Sequence, residues 1–199
     1  MIVLVHAGIA TSEMWDGFEL PGELRRHPLT EPLSVEAPVA LVGASYGGLL
    51  CLDFAARHPE LVTELVLLDA PLPDHEWSDE FLRYAEEEER LFEAGDLDAV
   101  TELNLAFWAP NLADRLRPMA RSSVELDIQE VEHVDLSAVR ARTLVAVGEN
   151  DVGDFLEIAD RLARELPDAE HAVIPGAGHL PSMERPEQTA ALVRRFLAA

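Results

Sequence analysis

The 199-residue chain contains no lysine: all 15 of its basic residues are arginine, set against 38 acids. The net charge of −23 at pH 7 excludes a nucleic-acid ligand or an anionic membrane surface as partner, since phosphates would be repelled. A single cysteine, Cys51, excludes an intrachain disulfide. It stands among Leu49, Leu50, Leu52 and Phe54, the setting of a buried structural thiol. No apolar run approaches the roughly 20 residues of a membrane span. The start, MIVLVHAG, lacks a basic n-region and is too short and too β-branched for a secretory signal, so the expected location is cytoplasmic. Internal repeats, low-complexity linkers and a second domain boundary are also missing. What remains, at 48% hydrophobic residues and mean hydropathy near zero, reads as one globular domain over residues 1–199 with a sizeable core.

Short, almost wholly apolar runs recur along the chain: Ile2 to Val5, Val39 to Val42, Leu65 to Leu68, Leu144 to Val147 and Ala172 to Ile174. Helical patterns follow at about 46–57, 155–166 and 187–198. Apolar strands alternating with helices predict a mostly parallel sheet covered on both faces, a three-layer α/β/α arrangement of five or six strands. Asp154 with Glu157 forms a capping-box pattern, and Pro186 suits a first helical position. Residues from about 71 to 138 break the alternation. FLRYAEEEERLFEAG, DLDAVTELNLAFW and LADRLRPMARSSVELDIQEVE predict three or so helices, a helical cap inserted into the α/β core. The acid run Glu86 to Glu89 reads as a solvated helix face, because consecutive helical side chains fan around the axis.

The most informative stretch is VALVGASYGGLLCLDFAAR, residues 39–57. A strand runs into Gly43-Ala44-Ser45-Tyr46-Gly47 and then into a helix. A serine at the tip of so sharp a turn sits in strained backbone with an exposed Oγ, and its neighbours two residues away must lack a Cβ. The Tyr46 N–H and the helix N-terminus are then aimed at developing negative charge.

A serine hydroxyl needs a base. His179, in Gly176-Ala177-Gly178-His179-Leu180-Pro181, follows a strand and precedes the last helix, at the sheet edge where open α/β folds place their ligands. The other histidines lack that placement, and His6 reads as a structural residue that holds its loop. The histidine needs an acid to fix its tautomer. Asp151, in Gly148-Glu149-Asn150-Asp151, also lies beyond a strand end. Asp69, directly after Leu65 to Leu68, is the second candidate, and Asp154 the nearest neighbour. The second oxyanion donor belongs in the loop after the first strand, at Gly8 or Ile9. Trp15, Phe107 and Trp108 are candidate apolar walls for a substrate pocket, and serve equally well as core.

Together these residues resemble the α/β-hydrolase fold, in its esterase, lactonase and haloperoxidase-like group. VLVHAGI matches the oxyanion loop, GASYGG the nucleophile elbow, VGENDVGDF the acid loop and PGAGHLPSMERPE the histidine loop. The order Ser45, Asp151, His179 is the family's order. The resemblance implies a serine hydrolase without metal or cofactor, cleaving a small-molecule ester or lactone through an acyl-enzyme. The same triad also serves C–C hydrolases, acyltransferases and perhydrolases. A dehalogenase is disfavoured, because its nucleophile would be a carboxylate at the place of Ser45.

The pattern is shortened in two places. The chain opens on the oxyanion strand, without the β-hairpin usual before it. Only residues 16–38 fill the gap before the elbow, where relatives carry a strand, a glycine-rich loop and a helix. A short strand fits near Leu24 to Leu29, but Thr30 to Pro38 is too short for a helical crossover. The expected results are a truncated sheet with one face near residues 2–6 uncovered, and apolar surface that favours a homodimer. A non-catalytic scaffold or binding protein that kept the triad is the alternative from another class.

Overall fold

The computed structural model describes residues 1–126 and 128–199, and among them six strands form one wholly parallel sheet. They are β1 (Ile2–Val5), β2 (Leu24–His27), β3 (Val39–Ala44), β4 (Val62–Leu68), β5 (Arg142–Gly148) and β6 (Ala169–Ile174). Across the sheet their order is β2-β1-β3-β4-β5-β6. The helices are α1 (Tyr46–Arg57), α2 (Asp79–Glu93), α3 (Leu97–Trp108), α4 (Ala113–Ser123), α5 (Gly153–Glu165), α6 (Pro181–Glu184) and α7 (Pro186–Leu197). None of the described helices is long and apolar enough to cross a membrane.

The strand alternation sorts side chains into two cores. Val3, Val5, Leu41, Leu65, Leu67, Val145 and Val147 pack with α1 and α5 on one face. Leu4, Val42, Val66, Leu68, Leu144 and Ala146 pack on the other with Val193 and Phe196 of α7. With both faces covered, a strand must be apolar at every position, which is why the runs are continuous. Burying each such Leu or Val fully contributes about 1.5–3 kcal/mol. Helix α1 is buried at every residue from Gly47 to Ala55, so Cys51 is enclosed and burial pushes its thiol pKa up, leaving it unreactive.

Two expectations are corrected by the packing. The face near residues 2–6 is not bare: Val3 and Val5 are fully buried. Leu29, buried in residues 28–38, joins their core with Leu33 and Val35 packed against it, so this loop takes the place of a crossover helix. It still spans two strand spacings, because β2 and β3 flank β1. The third helix of the β4–β5 connection ends at Ser123 rather than running to residue 132. Beyond it, Ile128 and Val131 pack against the core, and Leu126 and Ile128 reach the cavity described below, which draws the chain out of helix.

Candidate active site

Ser45 adopts φ 50°, ψ −124° between β3 and α1. A residue held in this left-handed region costs of order 1–3 kcal/mol and persists only where its surroundings fix it. Here the Ser45 N–H donates to Leu68 O at 2.8 Å, one rung beyond the β3–β4 ladder. The flanking glycines act through close approach. A Cβ on Gly47 would run into the carbonyls of Val5 and His6, and one on Gly43 into Gly47. The elbow is thereby pressed against the end of β1, where His6 Nδ1 bonds Ala7 O at 2.9 Å and steadies the loop.

His179 arrives from the β6–α6 loop. Its Nε2 lies 2.9 Å from Ser45 Oγ, and its Nδ1 lies 3.0 and 2.9 Å from the two carboxylate oxygens of Asp151. The side chains of His179 and Asp151 are only 3% and 1% exposed, so the pair is shielded from water. Several contacts fix the two loops. Glu184 of α6 accepts the N–H groups on both sides of the histidine, from Gly178 at 3.0 Å and Leu180 at 3.2 Å. Glu149 accepts the Gly176 N–H at 2.8 Å, and the Asn150 N–H donates to Ala177 O at 2.8 Å. Gly148 has no Cβ because one would strike the Ala177 and Gly178 carbonyls. The imidazole itself is held by Trp108 of α3, with ring centroids 4.3 Å apart, and by Phe155 of α5, edge-on at 4.5 Å.

Asp69 also reaches this spot. It is 2% exposed, its Oδ1 accepts the Gly148 N–H at 2.8 Å, and the histidine contact goes to Asp151 instead. Asp69, Asp151 and His179 offer atoms within 4.8 Å of one another, a spacing that a metal ion could also use. His179 Nδ1 and Asp69 Oδ1 are, however, already taken up by hydrogen bonds.

Asp154 does not cap its own helix as the capping-box pattern predicted; the residue before α5 is Val152, and no side chain caps it. Its carboxylate instead crosses to the start of α2, accepting Ser78 N–H and Oγ–H at 2.7 Å each and His75 Nε2–H at 3.1 Å. Burial pushes its pKa up, but these hydrogen bonds outweigh burial and hold it below the usual carboxylate range.

Gly8, Ile9, Ser45, Tyr46 and His179 line one cavity of about 410 Å³ under α2 and α3. Gly8 and Tyr46 abut: a Cβ on Gly8 would sit 3.6 Å from Tyr46 Cβ. Among the described residues, the N–H groups of Tyr46 and Ile9 bond to no protein acceptor. The Tyr46 hydroxyl donates to Gln129 O, which ties the elbow to the segment after α4. Of the three aromatic wall candidates, Trp108 lines the cavity. Phe107 points away and stacks on Tyr84 at 4.1 Å, while Trp15 is sealed in the core against Phe18.

The Alpha/beta hydrolase family model matches residues 23–192, most of the chain. The chain belongs to the alpha/beta hydrolase family. It is 27% identical to the alpha/beta hydrolase domain-containing protein VTE7 of Arabidopsis thaliana over 86% of this chain, and it spans only 58% of that protein. Its fold is similar to a thermophilic esterase from Thermogutta terrifontis, with TM-score 0.74 and 24% identity over 99% of this chain and 89% of that one. It is likewise similar to the enol-lactonase from Burkholderia xenovorans, with TM-score 0.75 and 16% identity over 100% and 91% of the two chains.

For this alpha/beta hydrolase, several cavity residues escaped the sequence reading. Glu88 comes from the acid run expected to be wholly solvated, yet it lines the cavity beside Asn104. Phe81, Tyr84 and Glu88 share one face of α2 at helical spacing, a signal available in advance. Tyr84 hydroxyl donates to Asn104 Oδ1 at 2.8 Å and accepts Trp108 Nε1–H at 2.7 Å, which anchors the ring that covers His179. Burial, then the nearby Glu88 carboxylate, pushes the Tyr84 pKa up, so it stays a phenol. Glu184 carried a weaker signal, five residues after His179.

Proposed function

We propose that the protein is a serine hydrolase that cleaves a small ester or lactone through an acyl-enzyme. The observation that carries this reading is the unbroken chain from Ser45 Oγ through His179 to Asp151, every contact between 2.9 and 3.0 Å. Ser45 attacks the carbonyl carbon while its proton passes to His179 Nε2, and Asp151 holds the Nδ1–H tautomer and stabilises the imidazolium. The N–H groups of Tyr46 and of Gly8 or Ile9 take up the oxyanion, each donor of this kind contributing about 2.7–4 kcal/mol to the transition state. His179 returns the proton to the leaving alcohol, and water repeats the sequence on the acyl-enzyme.

Helices α2 to α4 act as a cap over the cavity, with Trp108, Trp77 and Phe81 forming an apolar wall that suits a small acyl group. Glu88 inside the same cavity opposes an anionic substrate. The similarity to an esterase and an enol-lactonase fits this substrate class.

Reaction with a fluorophosphonate probe and with short-chain nitrophenyl esters, beside Ser45→Ala, tests the proposal. Wild type is expected to be labelled and to turn over, and Ser45→Ala to lose about 10⁴–10⁶-fold in kcat. A folded wild type that neither labels nor hydrolyses any ester rules out the enzyme reading. Turnover surviving in Ser45→Ala rules out the nucleophile.

A further inference from the structure

Asp69 is a buried carboxyl that the acyl-transfer steps leave unused. Among the described residues, Ser45 and Asp69 are the only two non-glycine residues with positive φ, both 50°. Each follows a strand end, and each is pinned by the next rung of the sheet, Asp69 N–H donating to Ala146 O at 2.9 Å. The Asp69 side chain has one oxygen engaged, Oδ1 with the Gly148 N–H. The other, Oδ2, is fully buried without a conventional partner. A buried polar atom so placed calls for an explanation. The titratable groups facing it are Asp151 from the β5–α5 loop, His179 from the β6–α6 loop and Glu184 from α6, and none is a permanent cation. Two neighbouring carboxylates without a cation cannot both hold a negative charge out of water.

We propose that Asp69 is a positioning residue: a neutral carboxylic acid whose Oδ2–H donates to Asp151 and so fixes the carboxylate that orients His179. The arrangement satisfies every atom involved. Oδ1 keeps accepting from Gly148, Oδ2–H fills the empty position, and the Asp151 carboxylate, whose Oδ1 also accepts the Val152 N–H, still receives His179 Nδ1–H between its two oxygens. Burial first, then Asp151 and Glu184, drive the Asp69 pKa well above the carboxylate range, as the proposal requires. The strained backbone at Asp69 is the cost of delivering that oxygen to the acid loop. A donor on Asp151 also withdraws part of its charge, which limits how strongly it holds the imidazolium and leaves His179 free to return its proton.

The inference rests on the serine-hydrolase reading for its effect on rate, but one arm of its test does not. Asn at position 69 mimics the neutral acid, its carbonyl accepting from Gly148 and its amide donating to Asp151, whereas Ala removes the donor. The His179 ring titration is followed by NMR in wild type, Asp69→Asn and Asp69→Ala, and hydrolysis of p-nitrophenyl butyrate is measured across pH. Asp69→Ala is expected to lose at least about tenfold in kcat. It is also expected to move both the ring titration and the acidic limb of kcat/KM toward alkaline pH, since Asp151 without its donor binds the imidazolium more strongly. Asp69→Asn is expected to rescue most of that rate and to restore the wild-type titration. A titration displaced toward acid by about one unit in Asp69→Asn would mean that a negative charge had been removed, and would overturn the proposal. So would an Asp69→Ala protein with the wild-type pH profile. If Asp69→Ala does not fold, the Asn titration alone decides. If wild type hydrolyses no ester, the serine-hydrolase reading fails while the titration still tests Asp69.

Discussion

Single residues set the precision of this site. Ser45 and Asp69 sit in disfavoured backbone, and the sheet hydrogen bonds that follow β3 and β4 hold them there. Glu184 does the equivalent for His179, gripping the peptide N–H groups on either side of it. Glu184 touches neither the serine nor the cavity wall, so its loss acts from behind the site, through the position of the imidazole and through the charge it presents to Asp69. Glu184→Ala is expected to lower kcat on p-nitrophenyl butyrate by about 10–100-fold, as an ångström-scale misplacement does, with KM little changed. Steady-state kinetics on folded protein check this; a fall in Tm with unaltered kcat would mean that the clamp is structural only.

Among elements, the contacts that matter join the sheet to the helices above it. The Asp154 carboxylate ties the first turn of α5 to the start of α2, using a residue 76 positions away in Ser78. Phe155, its neighbour in the chain, braces His179, so this tie connects the start of α2 to His179. Asp154→Ala strands the Ser78 donors and is expected to cost about 1–3 kcal/mol, a fall in Tm of about 2–4 °C per kcal/mol for a chain of this size. The carboxylate's folded pKa is depressed, so its contribution is complete above the unfolded value of about 3.9 and is lost as pH falls through the folded one. The Tm gap between wild type and Asp154→Ala should therefore be full at pH 7 and close under acid. A gap that persists at low pH would assign the loss to packing instead. The same level of organisation explains residues 28–38, where Leu29, Leu33 and Val35 cover β1 without any helix.

For the whole molecule the governing quantity is charge. With 38 acids, 15 arginines and no lysine, the chain carries a net charge of −23, and Glu88 repeats that sign inside the cavity. A neutral nitrophenyl ester should exceed a succinate half-ester of the same leaving group by at least about tenfold in kcat/KM at low salt. That ratio should shrink as the screening length falls from about 30 Å at 0.01 M to about 3 Å at 1 M ionic strength. A ratio indifferent to salt would place the discrimination in direct contacts with Glu88.

The strand runs, the elbow and the base and acid loops were legible in the chain, because each is a local backbone requirement: an apolar run closed by glycines at a strand end. Ser45, His179 and two candidate acids, Asp151 and Asp69, could be named on that basis, and the α/β class with them. Folding in three dimensions decided the rest. Asp151 rather than Asp69 faces the histidine, Asp154 holds the N-cap serine of a distant helix, Glu88 turns inward, and Trp15 is core while Trp108 is wall. Each of these depends on which groups meet across separations such as the 79 residues between Asp69 and Gly148. Spacing along a strand or helix fixes the direction of a side chain, but its partner is fixed only when the sheet brings the loops together and water is driven out from between them.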